Sequence, residues 1–192
     1  ITVIANRRGL DQAAAVGIVE KVIGFVFLVP SSLLSAVSAL GAQNIGAGRP
    51  ERAAATLRYA VMIAVGFGLI AAAVVQFAAE PIVALFTDGS AADGARVVRF
   101  GGQYLRGYIW DCVFAGIHFS FSGYFCACGK SGLSFMHNIA SITLVRVPGA
   151  YLAARLFPET LFPMGLTSAA GSLLSVLICL IAFAVLRRKK SG

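Results

Sequence analysis

Leu173-Leu174-Ser175-Val176-Leu177-Ile178-Cys179-Leu180-Ile181-Ala182-Phe183 is a helical stretch that is apolar on every side. A helix lying on a water-soluble core carries one apolar stripe and an opposite polar face. A helix apolar all round is buried deep in a large protein or lies in lipid. The surrounding segment, Pro163–Leu186, exceeds the roughly 20 apolar residues that cross a bilayer. It ends on Arg187-Arg188-Lys189-Lys190, the basic flank that holds a helix end at the membrane surface.

Working outward from this segment, the same grammar repeats. Apolar runs are expected to span at 12–41, 57–79, 100–127 and 133–157, with 163–186 as the last, and residues 1–6 read as the tail of a preceding helix. The chain begins Ile1-Thr2-Val3, partway into an apolar segment, and reads as a piece of a longer protein whose upstream half is missing. Polar punctuation separates the spans. Gly46-Ala47-Gly48-Arg49-Pro50 is a turn with Pro50 placed to open the next helix. Thr87–Gly94 is an acidic loop, Gly129-Lys130-Ser131-Gly132 a tight connection, and Phe157-Pro158-Glu159 a bend. The expected fold is all-α, a polytopic transmembrane helix bundle forming one domain over residues 1–192.

Composition agrees. Apolar residues make up 58% of the 192-residue chain and charged residues 12%, whereas soluble domains carry about a quarter charged residues. The net charge of +8 does not indicate nucleic acid, because the basic residues fall in short clusters between apolar runs and form no continuous basic face. Those clusters set orientation instead. With the C-terminus cytoplasmic, Lys130, Arg49, Arg52 and Arg58 share its side. Arg7, Arg8, Arg96, Arg99 and Arg155 lie opposite, diluted by Asp11, Asp88, Asp93 and Glu159.

Ionisable groups inside the spans carry the functional information, since each costs a few kcal/mol or more unless paired or hydrated. Glu20, Arg106, Asp111 and Arg146 are the main ones. Asp111 stands about 11 residues into its span, roughly 16 Å from that end, near mid-membrane. Tyr104, Tyr108, Asp111, His118 and Ser122 recur at helical spacing and form one polar stripe, which must face protein or a water-filled cavity. Asp111 then reads as a carboxylate that binds a proton or sodium ion, or as the structural partner of Arg106 or Arg146. Glu20 heads a face with Gly24, Phe27, Ser31, Ser35 and Ser38, on a helix that Pro30 is expected to kink. It is a second candidate for cation coupling. Its neighbour Lys21 points about 100° away and is not its natural partner. Asn138 and Ser141 form a smaller polar set on the following span, and Arg146 just before Pro148 either neutralises a buried carboxylate or holds a proline-loosened backbone.

Other chemistries find no support. Cys126-Ala-Cys128, with Cys112 and Cys179 elsewhere, lacks the spacing of a metal site. Gly123–Ser131 resembles a phosphate-binding loop but has one residue too many and ends a helix where such a loop follows a strand. No nucleophile, base and orienting acid fall together, so no catalytic residues, bound metal or organic cofactor are expected.

Ala42-Gln43-Asn44-Ile45-Gly46-Ala47-Gly48-Arg49-Pro50-Glu51-Arg52-Ala53 resembles the cytoplasmic loop of multidrug and toxic compound extrusion (MATE) transporters. Within it Gln43, Asn44, Gly46, Gly48 and Arg49 carry the likeness. Leu85-Phe86-Thr87, Tyr104-Leu105-Arg106, Gly123-Tyr124-Phe125, Cys128-Gly129-Lys130 and Arg146-Val147-Pro148-Gly149-Ala150-Tyr151 follow in the family's order. The resemblance implies a twelve-helix antiporter of two six-helix lobes, of which this chain holds the second lobe with its first helix mostly missing. It also implies export of cationic or amphipathic small molecules across the inner membrane in exchange for Na+ or H+, and a coupling acid on helix ten, where Asp111 falls. The partners it implies are that substrate, membrane lipid and the missing N-terminal half. A lipid-linked oligosaccharide flippase of the same superfamily and a non-transporting membrane scaffold are the competing readings.

Overall fold

The computed structural model describes residues 9–87 and 94–191. The expected helix tail at 1–6, Arg7, Arg8, Asp88, Asp93 and the side chains of Lys189 and Lys190 lie outside the described residues.

The helices run in chain order as α1 (Leu10–Val26), α2 (Leu28–Gly46), α3 (Pro50–Ala84), α4 (Gly94–Tyr108), α5 (Trp110–Ala127), α6 (Ser131–Ser141), α7 (Val147–Leu156) and α8 (Phe162–Ser191), with a π-helical turn at Ile142–Arg146 joining α6 to α7. No strand occurs among the described residues. Four helical runs are long and apolar enough to cross a membrane: Leu10–Gly46, Pro50–Ala84, Ser131–Leu156 and Phe162–Arg188. Their outer faces carry large apolar side chains that a water-soluble bundle would hide, Phe77 at 87% exposure among them.

The α4–α5 run is different in kind. It carries Arg96, Arg99, Arg106 and Asp111, and the helical ladder loosens at Ile109, which remains in right-handed helical conformation. It packs against α1, α2, α3 and α8. The others supply the lipid-facing surface, and this run lies along the inside.

Close approach rather than bulk holds the run in place. α3 presents Ala53, Leu57, Ala60, Ala64, Gly68, Ala72, Val75 and Ala79 on its buried face. A Cβ added to Gly116 of α5 would strike Ala64, and one added to Gly107 of α4 would strike the backbone of α8 at Phe162. In lipid, where burial of apolar surface gives little net drive between helices, this fit of small residues supplies the packing.

The break in the first span comes at Phe27, which separates α1 from α2, rather than at Pro30 itself. The cause is still the proline. Pro30 has no N–H, and its ring crowds the carbonyl four residues earlier, at Val26. The ladder resumes at once, with the Phe27 N–H donating to the Ile23 carbonyl at 2.8 Å and the Ser31 N–H to the Phe27 carbonyl at 3.0 Å.

The Gln43–Arg49 segment is a helix stop. Gly48 takes φ +72°, a left-handed conformation suited to glycine, the Arg49 N–H donates to the Asn44 carbonyl at 2.8 Å, and the Gly48 N–H donates to the Ile45 carbonyl at 3.0 Å. Asn44 turns its amide back to the Leu40 carbonyl at 2.7 Å. The end of α5 repeats the arrangement at Gly129, with φ +70° and Lys130 N–H to the Phe125 carbonyl at 2.8 Å. The glycine–lysine pair that mimics a phosphate loop therefore caps a helix.

Candidate ion-coupling site

Asp111 sits in the first turn of α5, near the midpoint of the continuous run that starts at Gly94, about 26 Å from that start at 1.5 Å per residue. Its side chain is 0% exposed. A carboxylate removed from water costs several kcal/mol unless a charge meets it. Arg146 meets it: Nη2 donates to Oδ1 at 3.2 Å and to Oδ2 at 3.1 Å.

The local sequence explains how Arg146 gets there. Pro148 offers no N–H to the carbonyl four residues before it, and the helix widens into the π turn, closed by the Val147 N–H donating to the Ile142 carbonyl. That turn brings Arg146 against α8, where Gly171 makes room. A Cβ at Gly171 would overlap the Cγ of Arg146. The Ser141 hydroxyl donates to the Gly171 carbonyl at 2.6 Å and ties α6 to the same point of α8.

From the ion pair a polar chain continues through the bundle. Arg146 Nη2 also donates to Ser172 Oγ at 2.6 Å, and Ser172 Oγ lies 3.3 Å from His118 Nε2. The rings of His118 and His137 are 5.4 Å apart, and His137 Nε2 is 2.8 Å from Ser122 Oγ. Ser175 donates to the His137 carbonyl at 3.2 Å. Besides Gln12 Oε1 and Ser168 Oγ, the atoms buried without a hydrogen-bond partner among the described residues are Tyr104 Oη, the Nδ1 atoms of His118 and His137, and Arg146 Nε. Buried polar atoms are rarely left so, and these four concentrate in and beside the Asp111 network.

The expected polar stripe therefore divides. Asp111, His118 and Ser122 join one network, and Ser141 braces it. Tyr104 and Tyr108 form an aromatic group instead, their rings 5.5 Å apart, with Phe27 6.3 Å from Tyr108. Of the two surroundings open to the stripe, protein or a water-filled cavity, Asp111 takes protein. In this conformation it is sealed by Arg146, whose own side chain is 25% exposed. Protein satisfies the carboxylate because a guanidinium on a proline-shifted helix reaches it before solvent can. Asn138 is exposed and points away from its neighbour His137, which is buried. Glu20 lies on an exposed face with Gly24, Ser31 and Ser35, within electrostatic reach of Tyr104 and Tyr108.

Arg106 is not the partner of Asp111. It bonds Glu80 Oε1 at 3.0 Å and the Gln76 carbonyl at 3.2 Å, both on α3. Glu80, Ser172 and His137 are the site residues that sequence reasoning passed over. Glu80 falls just past the expected end of its span. Ser172 belongs to a buried row on α8, Ser168, Ser172, Ser175 and Cys179, at spacings of four, three and four. That row was the available signal inside a segment that reads as uniformly apolar.

A family model, MatE, matches residues 1–152, which takes in every helix through the π turn and most of α7. No curated protein and no solved structure matches the chain. With the family match over most of its length, and long apolar helices around a buried ion pair, the chain belongs to the MatE family and is a multi-pass membrane protein of the MATE transporter type.

Proposed function

We propose that this protein exports cationic or amphipathic small molecules across the inner membrane in exchange for a sodium ion or a proton, with its C-terminus cytoplasmic. Asp111 is the residue at which the exchange is registered. The observation that carries the reading is the fully buried Asp111 carboxylate held by Arg146, a cation borne on a separate and locally unwound helix.

In the conformation described, Arg146 occupies the carboxylate. A proton or a sodium ion on Asp111 competes for the same oxygens, and its arrival releases the guanidinium. Release matters because Arg146 ties the α6–α7 arm to α5 and, through Ser172, to α8. A coupling ion that favours the released form and a substrate that favours the closed form bias opposite states, which is what antiport requires. Glu20, on the exposed face of α1 and within electrostatic reach of Tyr104 and Tyr108, is the second carboxylate in this reading, available to a cationic substrate or ion.

The ion pair also favours a second reading, in which Asp111 and Arg146 only clamp the lobe. The flippase reading loses ground: it needs basic residues along the cavity to meet a pyrophosphate, and of Lys21, Arg106 and Arg146 inside the spans, the two arginines are committed to Glu80 and Asp111.

The deciding experiment is cation-driven efflux by the protein in its full natural length, in everted vesicles, for wild type, Asp111→Asn and Arg146→Gln at matched expression. Loss of ion-dependent efflux with retained substrate binding supports coupling. Unchanged ion dependence at normal folding overturns it and leaves the clamp.

A further inference from the structure

At the end of the bundle where α2, α5 and α8 finish lies a cavity of about 210 Å³. It is remote from Asp111: its walls come from Ile45 in the last turn of α2, Tyr124 and Cys128 at the end of α5, and Phe183 and Leu186 of α8. Two cations, Lys130 and Arg187, complete the lining, to which no acidic side chain among the described residues contributes. The Arg187 guanidinium stacks 5.8 Å from the Phe183 ring centroid, which fixes the charge at the mouth while the apolar walls lie deeper. Drug-sized ligands occupy pockets of about 300–1,000 Å³. This one is too small for the whole of such a molecule and offers paired positive charge besides, which a cationic substrate would avoid.

We propose that this cavity holds the headgroup of an anionic phospholipid, its phosphate between Lys130 and Arg187 and its glycerol and first methylenes against Ile45, Phe183 and Leu186. Charge complementarity selects the occupant. Lys130 stands in the short connection after α5, and Arg187 opens the basic run at the end of the α8 span, the depth at which a bilayer places its phosphates. Basic pockets between membrane helices recognise lipid headgroups in this manner. The lipid joins the ends of α2, α5 and α8. This inference does not rest on the coupling role of Asp111, and either can fail alone.

The test is the thermal midpoint of the full-length protein in neutral detergent, with phosphatidylglycerol, phosphatidylcholine or inorganic phosphate added, and native mass spectrometry for retained lipid. Phosphatidylglycerol is expected to raise the midpoint by about 4 °C more than phosphatidylcholine does, with inorganic phosphate inert and one phosphatidylglycerol retained. The double variant Lys130→Gln/Arg187→Gln should lose most of that difference, and Arg155→Gln, at the opposite end of the bundle, should keep it. Equal stabilisation by both lipids, or an undiminished effect in the double variant, overturns the proposal. Stabilisation by phosphate alone also overturns it, in favour of a free-anion site. Should the double variant fail to fold, Leu186→Trp fills the cavity and keeps both charges. Persistence of the phosphatidylglycerol effect in Leu186→Trp is then the overturning result, and its loss supports the site.

Discussion

Nη2 of Arg146 lies 3.1 Å from Oδ2 of Asp111, 35 residues away along the chain, and the Asp111 side chain is wholly buried while that of Arg146 is a quarter exposed. The asymmetry means that Asp111 depends on Arg146 more than the reverse. Removing one partner of a buried pair leaves an uncompensated charge and costs about 3–5 kcal/mol, whereas replacing both by apolar groups is often neutral. Arg146→Leu should therefore lower stability sharply, and Asp111→Leu/Arg146→Leu should recover most of the loss. Urea or detergent unfolding of the three forms checks the order; a double variant as unstable as the worse single one contradicts it.

Gly171 makes this pair possible. Alanine there would drive its Cβ into Arg146 Cγ, close to the fixed root of the side chain rather than its flexible tip. Overpacking of this kind costs about 1–3 kcal/mol. Gly171→Ala should displace Arg146 and reduce efflux, and in combination with Asp111→Asn it should add little, because both changes remove the same interaction. Gly17→Ala, where nothing lies within 4 Å, should be silent. Efflux rates for the two alanine variants and the double variant decide; additive losses would separate Gly171 from the pair.

Much of this bundle was legible in the sequence, and the reasons differ by element. Apolar length marked the outer helices because lipid sets the same length for each crossing. Asp111 and Arg146 stood out because a charge at mid-span must be explained. Their pairing was one of two options, since Arg106 lies five residues from Asp111 on the same run and Arg146 far along the chain. The π turn decided between them: Pro148 shows in the sequence and opens the turn, but which carboxylate the turn delivers Arg146 to depends on how α7 seats against α8, which no local pattern encodes. Ser172 and His137 stayed hidden because a hydroxyl every three or four residues barely alters an apolar average. Glu80 was missed because α3 extends five residues beyond its expected end, past Pro81, which the last helical turn tolerates.

The second ion pair should behave quite differently from the first. Arg106 and Glu80 are 32% and 47% exposed, near the end of α3. Exposed pairs contribute about 0–1 kcal/mol. A double-mutant cycle with Arg106→Gln and Glu80→Gln should give a coupling energy under about 1 kcal/mol, and the same cycle at Asp111 and Arg146 a value several times larger. Equal couplings would mean that depth in the bundle does not govern these interactions.

Thiol chemistry tests the packing that all of this assumes. Cys112 lies beside Asp111 on α5 and Cys179 belongs to the serine row of α8, and both are buried, whereas Cys126 and Cys128 near the end of α5 are partly exposed. A thiol reacts with maleimide as its thiolate, and both access and hydration are needed for that. Cys126 and Cys128 should label readily in detergent, while Cys112 and Cys179 should wait for denaturation. Cys112 carries the further information. If a coupling ion frees Arg146 and loosens α5 from the α6–α7 arm, labelling of Cys112 in a variant lacking Cys126 and Cys128, taken relative to the denatured protein at the same pH, should quicken severalfold when sodium or acid drives the exchange, and Asp111→Asn should make that ratio insensitive to the ion. A Cys112 rate that stays flat in wild type under every ionic condition would mean that the network around Asp111 does not open during the cycle, and the pair would then serve as a fixed clamp.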